Sequence, residues 1–278
     1  MMRARWLSRL LTITIYALVI LALVVSLFPI FWFFLTSIKP RDLTFAIPPA
    51  WIFTPTFDNY AAVLSDRQFL RYLLNSLIIA GGTTGIALAS GLLAGYALAR
   101  YKFRGNGAFR FLFLLPQITP SVAILVPLFV LFNGLDLTNT HLALILANLT
   151  LTMPLAIWML IGFFEDSPID LEESAMIDGC SRLGALARVV LPVIAPGLAA
   201  AAALCFIYSW NEFLYASILS GRDTRTLSVA ITSFLTNRAI DWGRTAAAGS
   251  LILLPVLVFA LFTQRYLVRG LSHGAVKG

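Results

Sequence analysis

The passage from Glu172 to Pro196, opening on Glu172-Glu173 and Asp178, is the most acidic stretch of a chain that is otherwise basic and apolar. Ser167 is placed to cap a helix with Pro168 at its first position, and Asp170, Glu172 and Glu173 fall near the first turn, where the helix dipole favours negative charge. That helix should run to about Asp178. Gly179 supplies the residue that takes positive φ and ends it, and Ser181 caps a second helix leading to Leu191-Pro192. On physical grounds alone the passage is either a polar connector kept in water by its acids or a contact surface for another subunit.

Bond-making chemistry has little to work with elsewhere. Of three lysines, Lys39, Lys102 and Lys277, none stands in a GxxxxGK[ST] setting, so the chain has no phosphate-cradling loop of its own. HExxH and GxSxG are absent. Cys180 and Cys205, with His141 and His273, lack the spacing of a metal site or a structural disulfide. No catalytic residue, metal or cofactor is expected. Glu212 is the exception among the apolar runs, since a carboxylate there is costly unless paired, hydrated or neutral. It either makes a structural hydrogen bond within Trp210-Asn211-Glu212 or lies with Asn211 on a water-filled path.

The elements that hold these residues follow from composition. The 278 residues are 59% hydrophobic and 12% charged, with a mean hydropathy of +0.88. These values point to a bilayer as the solvent. The net charge of +7 does not indicate nucleic acid, because the basic residues cluster between apolar runs, where they hold membrane helices against anionic head groups.

A spanning helix needs about 20 apolar residues. Six candidates fit: Leu10–Leu35, Leu73–Ala99, Phe109–Phe132, Leu142–Phe164, Gly197–Leu219 and Ala246–Tyr266. The expected fold is therefore an all-α integral membrane protein, a single transmembrane domain over 1–278 with the polar loop, 165–192, between spans four and five. The first run is too long for a signal peptide and reads as an uncleaved anchor. With both termini inside, the inner segments hold Arg3, Arg5 and Arg9; Arg100, Lys102, Arg104 and Arg110; Arg182 and Arg188; and Arg265, Arg269 and Lys277. These are twelve of the twenty basic residues, a bias that favours cytoplasmic termini. Gly81, Gly85, Gly91 and Gly95 allow close helix approach in the second span. Pro116, Pro120, Pro127 and Pro154 loosen the third and fourth. A single intramembrane carboxylate argues against ion coupling.

The loop's spacing adds a resemblance. Glu173, Ala175, Gly179, Leu191 and Pro192 follow the pattern EAA, three residues, G, nine residues, I, one residue, LP, with Ser174 for the second alanine and Val189 for the isoleucine. This resembles the cytoplasmic signature of binding-protein-dependent ABC importer permeases. Pro55–Leu77, Ser209–Leu219 and the tail Gln264–Gly278 look like the maltose-type carbohydrate permeases, specifically the smaller six-helix partner of a pair.

The resemblance implies a transport subunit of a bacterial or archaeal cytoplasmic membrane that works with a second permease, two ATP-binding-cassette ATPase subunits inside and a solute-binding protein outside. Glu173, Ser174, Ala175, Asp178, Gly179, Leu191 and Pro192 would then dock on the ATPase. Trp210, Asn211 and Glu212 would line the path of a sugar or related solute. The alternative is a membrane scaffold or enzyme subunit that uses the loop as a docking site.

Overall fold

The computed structural model describes residues 2–44, 46–232 and 241–274. Among them every regular element is helical, as expected where the surroundings cannot satisfy backbone polar groups. In chain order these are α1 (Met2–Ser37), α2 (Asp58–Leu64), α3 (Arg67–Arg100), α4 (Asn106–Ile118), α5 (Ser121–Gly134), α6 (His141–Asp166), α7 (Asp170–Ile177) and α8 (Arg182–Ala185). One turn of π-helix, Leu186–Val190, joins α8 to α9 (Leu191–Asn211). After it come α10 (Leu214–Leu219), α11 (Leu227–Ala230) and α12 (Trp242–Gly274). The side chains of Arg3, Arg5, Arg9, Arg265 and Arg269, and Lys277 altogether, lie outside the described residues, although the inner-charge count uses them.

Five helical stretches are long and apolar enough to cross a membrane: Leu11–Ser37, Arg67–Arg100, His141–Asp166, Arg182–Asn211 and Trp242–Leu261. The expected third span, 109–132, is instead α4 and α5 bent by 93°, so a sixth crossing requires that pair to count as one. The break falls at Thr119, which is extended at φ −85°, ψ 131°. Pro120 is its cause: a proline ring pushes the residue before it out of the helical region. The expected fifth span also differs, because its helix starts earlier, at Arg182, and ends at Asn211.

The chain forms two compact units, Met1–Arg67 with Phe234–Leu253, and Gln68–Ser233 with Leu254–Gly278. In the first, α1 exposes large apolar side chains from Leu11 to Phe31, a surface suited to lipid. Its end is fastened by Asn59, whose amide donates to the carbonyls of Ser37 (3.0 Å) and Lys39 (3.2 Å).

In the second unit α3 lies against α6 through two of its four glycines. A Cβ at Gly91 would come within 3.0 Å of Ala156, and one at Gly95 within 3.2 Å of Leu160, whereas Gly81 and Gly85 face open space. Where α6 meets α9, a Cβ at Gly197 would strike the Phe163 ring. One core cluster joins Tyr96 of α3, Leu160 and Phe164 of α6, Leu186 and Val190 of the π turn, and Ile194 of α9. A second gathers Ile79, Leu125, Leu144, Tyr215 and Leu219.

Candidate functional site

The short helix α7 begins two residues later than the sequence indicates. Ile169 precedes it, and the amides of Glu172 and Glu173 donate to the Ile169 carbonyl at 2.9 and 3.1 Å. Ser167 caps nothing; its carbonyl accepts from Arg100 at 3.0 Å. The C-terminal end matches the expectation, with Gly179 at φ +89°. The Gly179 amide donates to Met176 O at 3.1 Å and the Cys180 amide to Ala175 O at 3.0 Å, the paired closing bonds of a helix that ends in a left-handed residue. Ser181 then caps α8, its hydroxyl accepting from the Gly184 amide at 3.2 Å.

What holds α7 to the protein is Glu172, a residue that the spacing argument passed over. Arg100 Nε donates to Glu172 Oε1 at 2.6 Å, and the Tyr96 hydroxyl donates to Oε2 at 2.9 Å. Both charged side chains are more than nine-tenths buried. The Tyr96 ring packs edge-on to Phe164 of α6 at 5.5 Å, and the Arg182 guanidinium lies over Tyr101, 5.1 Å from the ring centre. Removing one partner of such a buried pair costs about 3–5 kcal/mol, because the other charge stays behind uncompensated. Local pattern gave no signal for this contact, since Arg100 and Glu172 are 72 residues apart.

The two faces of α7 are therefore unlike. Glu172 and Ala175 are buried against the chain itself, so Ala175 does not offer a free small surface as the resemblance implied. Glu173, Ser174, Asp178 and Gly179 are exposed. Two apolar side chains stand beside them in the open, Ile177 at 86% exposure and Leu183 at 71%. Leu191 is half-buried and Pro192 exposed. Leu191-Pro192 does not stop the helix, because the π turn at Leu186–Val190 carries it through. A wider turn accommodates a proline whose ring would otherwise press on the carbonyl of Arg188 and whose nitrogen cannot donate.

Trp210, Asn211 and Glu212 sit at the far end of α9, where the helix breaks. Trp210 is buried and stacks on Phe206, with ring centres 5.5 Å apart; Phe206 in turn stacks on Phe259 at 4.2 Å. Asn211 is exposed, and its amide donates back to Ile207 O at 2.9 Å. Glu212 turns its carboxylate onto the start of α10, accepting from the Tyr215 amide at 2.8 Å and the Ala216 amide at 3.0 Å. Its carbonyl accepts from the Ser228 hydroxyl at 2.7 Å. Among the described residues no group of His, Cys, Asp or Glu is arranged to hold a metal ion.

A polar elbow fixed on one face and open on the other is thus set between membrane-length helices. The model of binding-protein-dependent transport system inner membrane components matches residues 87–273. The chain belongs to that family. It is 38% identical to the sulfoquinovosyl glycerol transport system permease protein SmoH of Agrobacterium fabrum, over 92% of this chain and 90% of that protein. It is 36% identical to the trehalose/maltose transport system permease protein MalG of Thermococcus litoralis, over 93% and 94%. A crystal structure of a bacterial ABC transporter involved in the import of the acidic polysaccharide alginate superposes with a TM-score of 0.75 at 22% identity, covering 93% of this chain and 96% of its counterpart. The alginate comparison shows a shared fold. This permease is accordingly a multi-pass membrane transport subunit of the ABC kind rather than an enzyme, and the elbow and the α9 break are its two polar features of interest.

Proposed function

We propose that the permease is one of two membrane subunits of an ATP-driven importer for a sugar or related small polar solute. It forms half of the path and takes its drive from two separate ATPase subunits through the elbow, while a solute-binding protein delivers cargo on the other side. Both termini then face the cytoplasm, with α4 and α5 together as a sixth crossing. The observation that carries this reading is the divided α7: Glu172 fastens it from within, while Glu173, Ser174, Ile177 and Asp178 are presented outward. The outward face combines a charge that sets register with apolar area that gives affinity. The relatives' names support a sugar-like cargo, since those permeases serve sulfoquinovosyl glycerol and trehalose or maltose systems. On the path side, exposed Asn211 is the group available to solute hydroxyls, and Trp210 and Glu212 shape the surface around it.

Two substitutions test the reading in the assembled complex. Glu173→Lys reverses a charge on the outward face. Gly179→Val forces a β-branched residue into φ +89°, a conformation such residues scarcely adopt. Both variants should insert at parental levels, and both should lose uptake together with the ATPase stimulation caused by loaded binding protein. A charge change in the ATPase socket should rescue Glu173→Lys and leave Gly179→Val inactive. Parental uptake in both variants would reduce the elbow to a connector or a dock for some other partner.

A further inference from the structure

The clamp on Glu172 has a counterpart at the opposite end of the same helix. Near the start of α3, the Asn75 amide donates to the carbonyls of Asp223 (2.9 Å) and Arg225 (3.0 Å), and its Oδ1 meets the His141 ring at 2.8 Å. One residue on, the Ser76 hydroxyl accepts from the Leu227 amide at 2.9 Å. Arg71 adds an exposed pair with Asp223 at 2.7 Å. Asn75 and Ser76 are both buried. Directed bonds thus hold the segment from Asp223 to Leu227 to α3, and Ser228 ties that segment to the backbone at Glu212. Between its two polar ends α3 contains no proline, and Gly91 and Gly95 seat it closely on α6.

We propose that α3 is a strut that transmits displacement of α7 to the 223–228 segment and, through it, to the break at Glu212. The distance from Asn75 to Arg100 is 25 helical residues, or roughly 38 Å. A continuous helix with hydrogen-bonded partners at both ends moves those partners together. The covalent route from α7 to α9 is a less direct carrier, because α7 ends at the left-handed Gly179 before Ser181 opens the next helix. Tyr96, Arg100, Asn75 and Ser76 are therefore positioning residues. They fix what the elbow moves. This inference rests on the importer reading above.

The test uses the full complex with its ATPase and binding protein, in a background carrying Cys180→Ser and Cys205→Ala. A reporter thiol, Arg222→Cys, stands on the exposed edge of the far segment. Its labelling rate by a membrane-impermeant maleimide is compared without nucleotide and after vanadate trapping. Glu172→Gln breaks one end of the strut and Asn75→Leu the other. Compared at equal amounts of assembled complex, each should keep parental ATPase stoichiometry and basal hydrolysis, yet lose about tenfold of the stimulation by loaded binding protein, within the usual range of coupling between sites. In both, the labelling difference between the two states should vanish. Should Glu172→Gln lower the amount assembled, Tyr96→Phe, which deletes one hydroxyl, is expected to give a smaller loss of the same kind. A parental complex without stimulated hydrolysis overturns the importer reading and the strut with it. A working parent whose Glu172→Gln, Tyr96→Phe and Asn75→Leu variants keep both stimulation and the labelling difference overturns the strut alone.

Discussion

Glu172 and Glu212 are both carboxylates beside a break in helical structure, and the protein neutralises their cost in opposite ways. Glu172 is held by side chains brought from α3, a guanidinium and a phenol hydroxyl. Glu212 is held by the backbone three and four residues ahead of it. The first arrangement joins distant elements and commits the charge to an internal contact. The second is local and folds one corner. Next to each lies a polar group with no such duty among the described residues: Glu173 on the elbow, and Asn211, whose amide bonds one turn back in its own helix. The carboxylate that builds a site and the polar group that the site presents are neighbours in sequence with different work.

The comparison breaks most sharply at Arg100. Arg100→Ala leaves Glu172 buried without its cation, and the expected loss is about 3–5 kcal/mol, read as a large fall in the melting temperature of the purified complex or in its yield. An Arg100→Ala protein as stable as the parent would mean that Glu172 is hydrated. Glu212→Ala should cost less, about 0.5–2 kcal/mol, the usual loss when a capping side chain is removed. Glu212→Gln keeps one acceptor and should fall between Glu212→Ala and the parent in melting temperature. If uptake under Glu212→Gln changes while melting does not, the carboxylate has a role on the path beyond its cap. The smallest stability effect belongs to Glu173→Ala, where an exposed side chain is trimmed: no melting shift should be measurable, although stimulated ATPase activity should fall. A destabilised Glu173→Ala would remove the distinction between the two adjacent glutamates.

Local chemistry made much of this legible in advance. Gly179 and Ser181 announce a turn and a cap because helix ends are governed by residues within one turn of them. The apolar runs announce membrane-length helices for the same reason, since length and hydropathy are properties of a contiguous segment. The misreadings have local causes that a window average hides. Pro120 turns the expected third span into two helices because its ring acts on Thr119 alone. Ser167-Pro168 has the composition of a helix start, yet the Ser167 carbonyl is drawn to Arg100 and the helix opens at Asp170. The Glu172 clamp was not legible at all. Its two ends are separated by three helices, α4, α5 and α6, and the packing of α3 on α6 helps bring them together.

The π turn at Leu186–Val190 also sets a phase. A helix advances about 100° per residue at 3.6 residues per turn, so one additional residue in a single turn rotates everything beyond it by about that angle. Ile194, Ala201, Cys205 and Trp210 all point inward from α9 only because that rotation has already been made. Deleting one residue between Leu186 and Val190 would restore ordinary winding locally and turn the buried stripe of α9 toward the outside, with Trp210 leaving its stack. The elbow and the far break of α9 are thus registered to one another by a count of residues as well as by contact.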